Sequence, residues 1–315
     1  MESANEGSYC IAHLMQTFSP EGAKSIKVTL NHKLSSEEHN AYKECFKDIA
    51  FHDQGLGLYF SVQHNMEDLL RAIVEFGRRY LDAGHMTSEN MNASSISFAR
   101  LILNLTSMFR SFLDHGNAAI TRRYGAKSTE LAEWKSKQSE QFDKSRAYRF
   151  MSQLRNYCQH VGMPPLNFSI SQSLDKEGAS IEMNFPRDEL LSTYGNWQHH
   201  VKSDLKNGPE HLPLLTYLQD WSICFHSLAD WIITLRRNAA YESAEMILNV
   251  RKKYGIDSEG VIAIAKEPEA GEMLSLSLQN FPEDKALDIV QGKPILSVGD
   301  SLELDPEVSN NQTIK

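Results

Sequence analysis

Tyr148-Arg149-Phe150-Met151-Ser152-Gln153-Leu154-Arg155-Asn156-Tyr157-Cys158-Gln159-His160-Val161-Gly162-Met163-Pro164-Pro165 reads as the last turns of a helix followed by its stop. Gly162 stands where a left-handed C-cap belongs, and Pro164-Pro165 cannot continue a helix. The helix is traced back to about Thr129, with an interruption near Ser139. A helix of this length, ended this sharply, needs partners of similar length, and the flanking sequence supplies them.

Upstream, Ile96, Leu101, Leu103, Leu105, Met108, Phe109, Phe112 and Leu113 mark a helix from Ser94 or Ser95 to Tyr124, stopped by Gly125. Its first half is apolar nearly all round, which predicts burial between neighbours. Leu69, Leu70, Ile73, Val74, Phe76 and Leu81 recur at three- and four-residue spacing and predict a helix over 56–81. Ser35-Ser36-Glu37-Glu38 reads as an N-cap with acidic first-turn residues, opening a helix to about His52. Lys24 to Leu30 alternates like a strand, whereas residues 1–23 read as loosely ordered.

Downstream, Asn167–Ser173 and Ala179–Phe185 alternate around Asp175-Lys176-Glu177-Gly178, the pattern of a β-hairpin. One short helix is read over Arg187–Lys206 and a last long one over Leu212–Tyr254, ended by Gly255. Gly260–Ala265 and Met273–Leu278 read as small strands. The acidic, polar residues 301–315 read as a disordered tail. The expected fold is mainly α: an antiparallel helical bundle over 54–254 with an inserted β-hairpin at about 167–185. A strand-and-helix extension (1–53) precedes it, and a small α/β extension (255–300) follows.

At 315 residues the chain has enough length for a substantial core. No run of about 18 apolar residues predicts a membrane span, and Met1–Phe18 lacks the basic-then-apolar order of a signal peptide. The cytoplasm is the expected location. Four scattered cysteines, Cys10, Cys45, Cys158 and Cys224, form no C-x-x-C pair and read as reduced thiols rather than zinc ligands. His199, His200 and His211 lack the carboxylate spacing of a metal site. There is no Gly-rich phosphate loop and no nucleophile elbow. No cofactor is expected. A net charge of −9 argues against indiscriminate nucleic-acid binding. It leaves room for a local cationic patch, which Lys144, Arg146, Arg149 and Arg155 supply.

Arg155-Asn156-x-x-x-His160 pairs two groups suited to cutting RNA without a metal. Such cutting needs a base for the ribose 2′-OH, an acid for the leaving 5′-oxygen and a fixed cation for the phosphorane-like transition state. Histidine exchanges protons near neutrality, and the arginine fork meets phosphate oxygens in two places. At about 100° per residue, Arg155 and His160 lie roughly 140° apart around the axis, whereas Asn156 and His160 share a face. The long arginine must therefore bend to meet the histidine, with Asn156 orienting the ring or a phosphate oxygen. The last helical turn also favours a cation at His160. The spacing alone is common: Arg110/His115 and Arg79/His85 have it too.

Two blocks together resemble the HEPN-domain family of bacterial proteins. One is Phe109-Arg-Ser-Phe-Leu-Asp-His115 with Ala119-Ile120-Thr121-Arg122-Arg123-Tyr124-Gly125; the other is the Tyr148–Pro164 stretch. As a helical pattern the resemblance extends over about 55–240. It implies a four- or five-helix bundle, usually dimeric, with Arg and His of two subunits facing one cleft and cleavage leaving a cyclic phosphate. By position, Arg155 would be the phosphate-stabilising cation, His160 the acid–base residue and Asn156 the polar residue beside the Arg. Arg146, Arg149, Gln159, Asp114, His115 and Arg122 are the further candidates for RNA contact.

Three readings follow. The first is a metal-independent endoribonuclease, a toxin or antiphage effector restrained by an antitoxin or awaiting an activating protein. The second is a HEPN-like module that binds RNA, nucleotide or protein without turnover. The third is a helical scaffold. Trp221 and Trp231 on the last long helix read as core or as a homodimer seam.

Overall fold

The structure, a computed structural model, describes residues 8–18, 24–172, 179–266, 277–292 and 313–314. In chain order the elements are β1 (Tyr9–Phe18), β2 (Lys24–Lys33), α1 (Ser36–Ala83), α2 (Ser88–Tyr124), α3 (Thr129–Lys144) and α4 (Arg146–His160). There follow β3 (Asn167–Gln172), β4 (Ala179–Pro186), α5 (Arg187–Thr193), α6 (His199–Lys206), β5 (His211–Pro213) and α7 (Leu214–Leu248). The last are α8 (Val250–Tyr254), β6 (Val261–Lys266), β7 (Ser277–Asn280), α9 (Glu283–Gln291) and β8 (Thr313–Ile314). The chain is mainly helical with small antiparallel sheets. It divides into two compact units, Met1–Gln54 with Ile233–Pro294, and Gly55–Ile232 with Ile295–Lys315. Among the described residues no helix is long and apolar enough to cross a membrane.

The first unit unites the two terminal extensions that the sequence sets apart. Its sheet has the order β2-β1-β6-β7, and β1 pairs with β6 from Tyr9↔Lys266 to Leu14↔Val261. Strand β1 falls where the sequence predicts loose order. Cys10, Ile11, Ala12 and His13 are all buried, so the alternation that advertises a strand is missing. Ile11, Ile262 and Ile264 share a core with Tyr42, Phe46, Ile49, Ala244, Ile247 and Phe281. Helix α1 opens on the expected cap. Glu38 N–H donates to Ser35 Oγ at 3.1 Å, and Ser35 N–H donates to Glu38 Oε2 at 3.1 Å, a reciprocal capping box. The same carboxylate accepts from Lys253 Nζ at 3.0 Å and Tyr254 O–H at 3.2 Å.

The two helices expected on either side of Gly55 are one helix of 48 residues. A mid-helix glycine costs only about 1 kcal/mol, and burial of Ile49, Tyr59 and Val62 on either side offsets it.

The second unit packs α2, α3, α4 and the first part of α7 around an aromatic core. Phe109 sets its edge against Trp221 (5.0 Å between centroids) and Tyr148 (5.6 Å), and Trp221 stacks on Phe225 (5.6 Å). Trp221 is fully buried and belongs to this core, not to a seam. Trp231 stacks on Trp134 at 5.7 Å.

The single helix expected over Thr129–Val161 is two, broken at Ser145 rather than near Ser139. Ser145 is extended (φ −118°, ψ 117°), and its hydroxyl accepts from Tyr148 N–H, capping α4. At its other end α4 stops as read, although Val161 is right-handed and Gly162 (φ 151°) is not in the left-handed helical region. The helix read over Arg187–Lys206 is also two, α5 and α6. Trp197 between them donates its indole N–H to Leu190 O at 3.0 Å. Strands β3 and β4 pair antiparallel from Asn167↔Asn184 to Gln172↔Ala179, and β5 and β8 extend the hairpin into a sheet. The expected turn, Asp175–Gly178, lies outside the described residues. So does the expected disordered tail, apart from Thr313–Ile314, which pairs with β4.

Candidate functional site

Helices α2, α3 and α4 line a half-open cavity of 520 Å³ in the second unit. From α2, Arg110 and Asp114 are four residues apart and share one face. From α3 come Gln138 and Phe142, again four apart. Helix α4 contributes Tyr148, Ser152, Arg155 and Asn156, spaced i, i+4, i+7 and i+8 along one stripe. Gln198, preceding α6, stands at the margin.

Two arginines line this cavity, and they differ. Arg110 forks onto Asp114, Nε to Oδ2 at 2.9 Å and Nη2 to Oδ1 at 2.8 Å, which neutralises its charge. Arg155 has no ion pair among the described residues, and its buried Nε lacks a hydrogen-bond partner. The neighbouring Ser152 hydroxyl is likewise buried without one. Buried polar groups are nearly always satisfied, and leaving one unmade costs about 1–3 kcal/mol. Both residues line the cavity, although these two atoms are themselves closed to solvent.

The other walls are neutral. Asn156 Nδ2 donates to Gln153 Oε1 at 3.3 Å, not to His160. Gln138 is held only by contacts of 3.5 Å to Asn117 Oδ1 and Trp134 O. Burial raises the Tyr148 phenol well above its ordinary pKa, so it stays protonated. Next to the site, burial pushes the Cys158 thiol up to about 11, which makes it a poor nucleophile at neutral pH.

The structure separates the candidates read from the sequence. Arg155, Asn156 and Asp114 line the cavity; His160, Gln159, His115, Arg122, Arg146 and Arg149 do not. His160 is exposed, and its ring lies parallel to Tyr194 (6.4 Å between centroids, 6° between planes). Arg155 and His160 thus occupy different sides of α4, as their 140° separation dictates, and the bend that would join them is not made. Arg149 is structural. It is buried against Asp204 and donates to the carbonyls of Phe142 and Asp143 at the end of α3. Arg146 reaches the same Asp204 at 3.6 Å from an exposed position. The cationic patch of the sequence therefore reduces to Arg155 at the cavity.

Sequence reasoning passed over Arg110, Ser152, Gln138 and Gln198 as site residues. Ser152 was within reach through its helical spacing to Arg155. Gln138 and Gln198 come from separate elements and carry no local signal. Among the described residues no group of three or more His, Cys, Asp or Glu side chains is placed to hold a metal ion. No family model matches the chain, and no curated protein and no solved structure matches it.

Proposed function

We propose that this protein is a metal-independent endoribonuclease that holds an RNA phosphate at Arg155. The observation that carries this reading is the buried, unpartnered Arg155 Nε in the wall of a cavity, with the Ser152 hydroxyl orphaned beside it. A phosphate accepts from the Arg155 guanidinium, which stabilises the charge that grows on phosphorus during attack.

In the proposed reaction a base removes the ribose 2′-OH proton, and the oxygen attacks the adjacent phosphorus. The bond to the 5′-oxygen breaks, an acid protonates that oxygen, and a 2′,3′-cyclic phosphate remains. His160 is the acid–base residue of this proposal. It lies five residues beyond Arg155, about 7.5 Å along the helix axis and on a different side of α4. A strand bound at Arg155 must therefore wrap around the end of α4 to reach it. A second copy of the chain supplies the second histidine that a paired acid and base require.

The test is cleavage of mixed cellular RNA in EDTA by wild type, Arg155→Ala and His160→Ala. Wild-type cutting with cyclic phosphate ends, lost in both variants, supports the reading. Cutting unaffected by both overturns it. A second reading is favoured by one observation, the absence of His160 from the cavity: a module that binds RNA without turnover. Saturable RNA binding that needs Arg155, with no products under any condition, supports that alternative.

A further inference from the structure

We infer that the cavity is a nucleotide-reading pocket, taking one internucleotide phosphate and one unstacked base, with adenine preferred. The inference rests on the RNA-binding reading of Arg155 and goes beyond it to what the site recognises.

Charge comes first. Arg110 is paired with Asp114 on the same helix face, so the lining carries a net charge of one, matched to Arg155. One cation matches one phosphodiester charge. It does not match a nucleoside triphosphate, whose several charges need several partners or a metal.

Size comes next. At 520 Å³ the cavity falls within the span of about 300–1,000 Å³ typical of small-ligand pockets, larger than a lone phosphate requires.

The lining chemistry completes the argument. Beyond Arg155 the polar groups are largely neutral, and carboxamides are prominent among them: Gln138, Asn156 and Gln198. A carboxamide presents a donor beside an acceptor and pairs bidentately with adenine, whereas guanine is read best by Arg or Lys. The Gln138 amide is held only at 3.5 Å, so it is free to turn to a ligand. Phe142, one turn from Gln138 on α3, adds a half-buried ring, one face of which carries the Arg149 guanidinium at 5.9 Å, leaving the other for a base. Bases splayed from single-stranded RNA stack on such rings while their edges are hydrogen-bonded.

The experiment is a binding titration of the full chain with four 2′-O-methyl dinucleotides, ApA, CpC, GpG and UpU. These carry one phosphodiester and cannot be cut, so the outcome is independent of nuclease activity. ApA should bind about tenfold or more tighter than the others. Gln138→Leu should reduce that preference to within about twofold, and Arg155→Met should weaken all four by a similar factor of about tenfold. A preference for another base, or none, overturns the inference. So does a preference that survives Gln138→Leu, or ATP binding tighter than ApA. Adenine-selective binding without any RNA cleavage would sink the nuclease reading and leave the pocket standing.

Discussion

Arg149 donates from Nε to the Asp204 carboxylate at 2.7 Å and from Nη1 to the carbonyls of Phe142 and Asp143 at 2.6 and 2.9 Å. One side chain thereby ties the start of α4 to α6 and satisfies carbonyls that the end of α3 leaves open. Its side chain is 12% exposed and that of Asp204 22%, so its loss leaves a partly buried carboxylate with only Arg146 and limited water as partners. Arg149→Ala should cost about 1–3 kcal/mol of stability in urea denaturation. Arg146→Ala, which removes an exposed contact to the same aspartate, should cost less than about 1 kcal/mol.

Arg155→Met distinguishes a ligand site from a structural arginine. The wild-type Nε is buried without a partner, an arrangement that costs the folded state about 1–3 kcal/mol. Replacement by an apolar chain of similar length should leave the melting temperature unchanged or raise it, while RNA binding is lost. A marked fall in melting temperature would mean that Arg155 serves the fold.

Gly116 marks a close approach of α2 to the side chains of Ile232 and Trp134. A Cβ at this position would sit 2.9 Å from Ile232 Cδ1 and 3.0 Å from Trp134 Cζ2. Neither the buried isoleucine nor the indole has room to retreat, so Gly116→Ala should destabilise by about 1–3 kcal/mol. The accompanying displacement of Trp134 should register as a change in tryptophan fluorescence.

Glu38 sets an acid limit on the first unit. Hydrogen bonds from Lys253 and from the Ser35 backbone hold its carboxyl down from 4.5 to about 2. A carboxylate with a depressed folded pKa stabilises fully above its unfolded value and loses that contribution as pH falls through the folded one. Stability should therefore drop between about pH 4.5 and 2. Thermal melts across that window should fall less steeply for Glu38→Gln than for wild type.

The helices were legible because each has a local cause. Apolar residues at three- and four-residue spacing, the Ser35/Glu38 box and the Pro164-Pro165 stop all act within a few residues of one another. The errors share the opposite property. Strand β1 hid because Cys10 to His13 are buried together, and its partner β6 lies some 250 residues away in the chain. The break at Ser145 was invisible because a serine inside a helical pattern fits a surface position as well as a cap; only its bond to Tyr148 N–H decides. Of the candidates read from the sequence, Arg155, Asn156 and Asp114 line the cavity, whereas Arg149, a candidate for RNA contact, is tied to Asp204.

By itself the sequence determined a mainly helical chain, the position of its inserted hairpin, and the stripe on α4 from which Arg155 emerges. Those follow from periodicity and capping, which are properties of neighbouring residues. Only the tertiary structure decided how Arg110, Arg149 and Arg155 are each compensated among the described residues. Asp114 and Arg110 share a helix face, yet Asp204 reaches Arg149 across 55 residues, and among the described residues no partner reaches Arg155 Nε. Charge compensation depends on distance in space, so a row of arginines alike in sequence becomes one structural tie, one surface ion pair and one open donor.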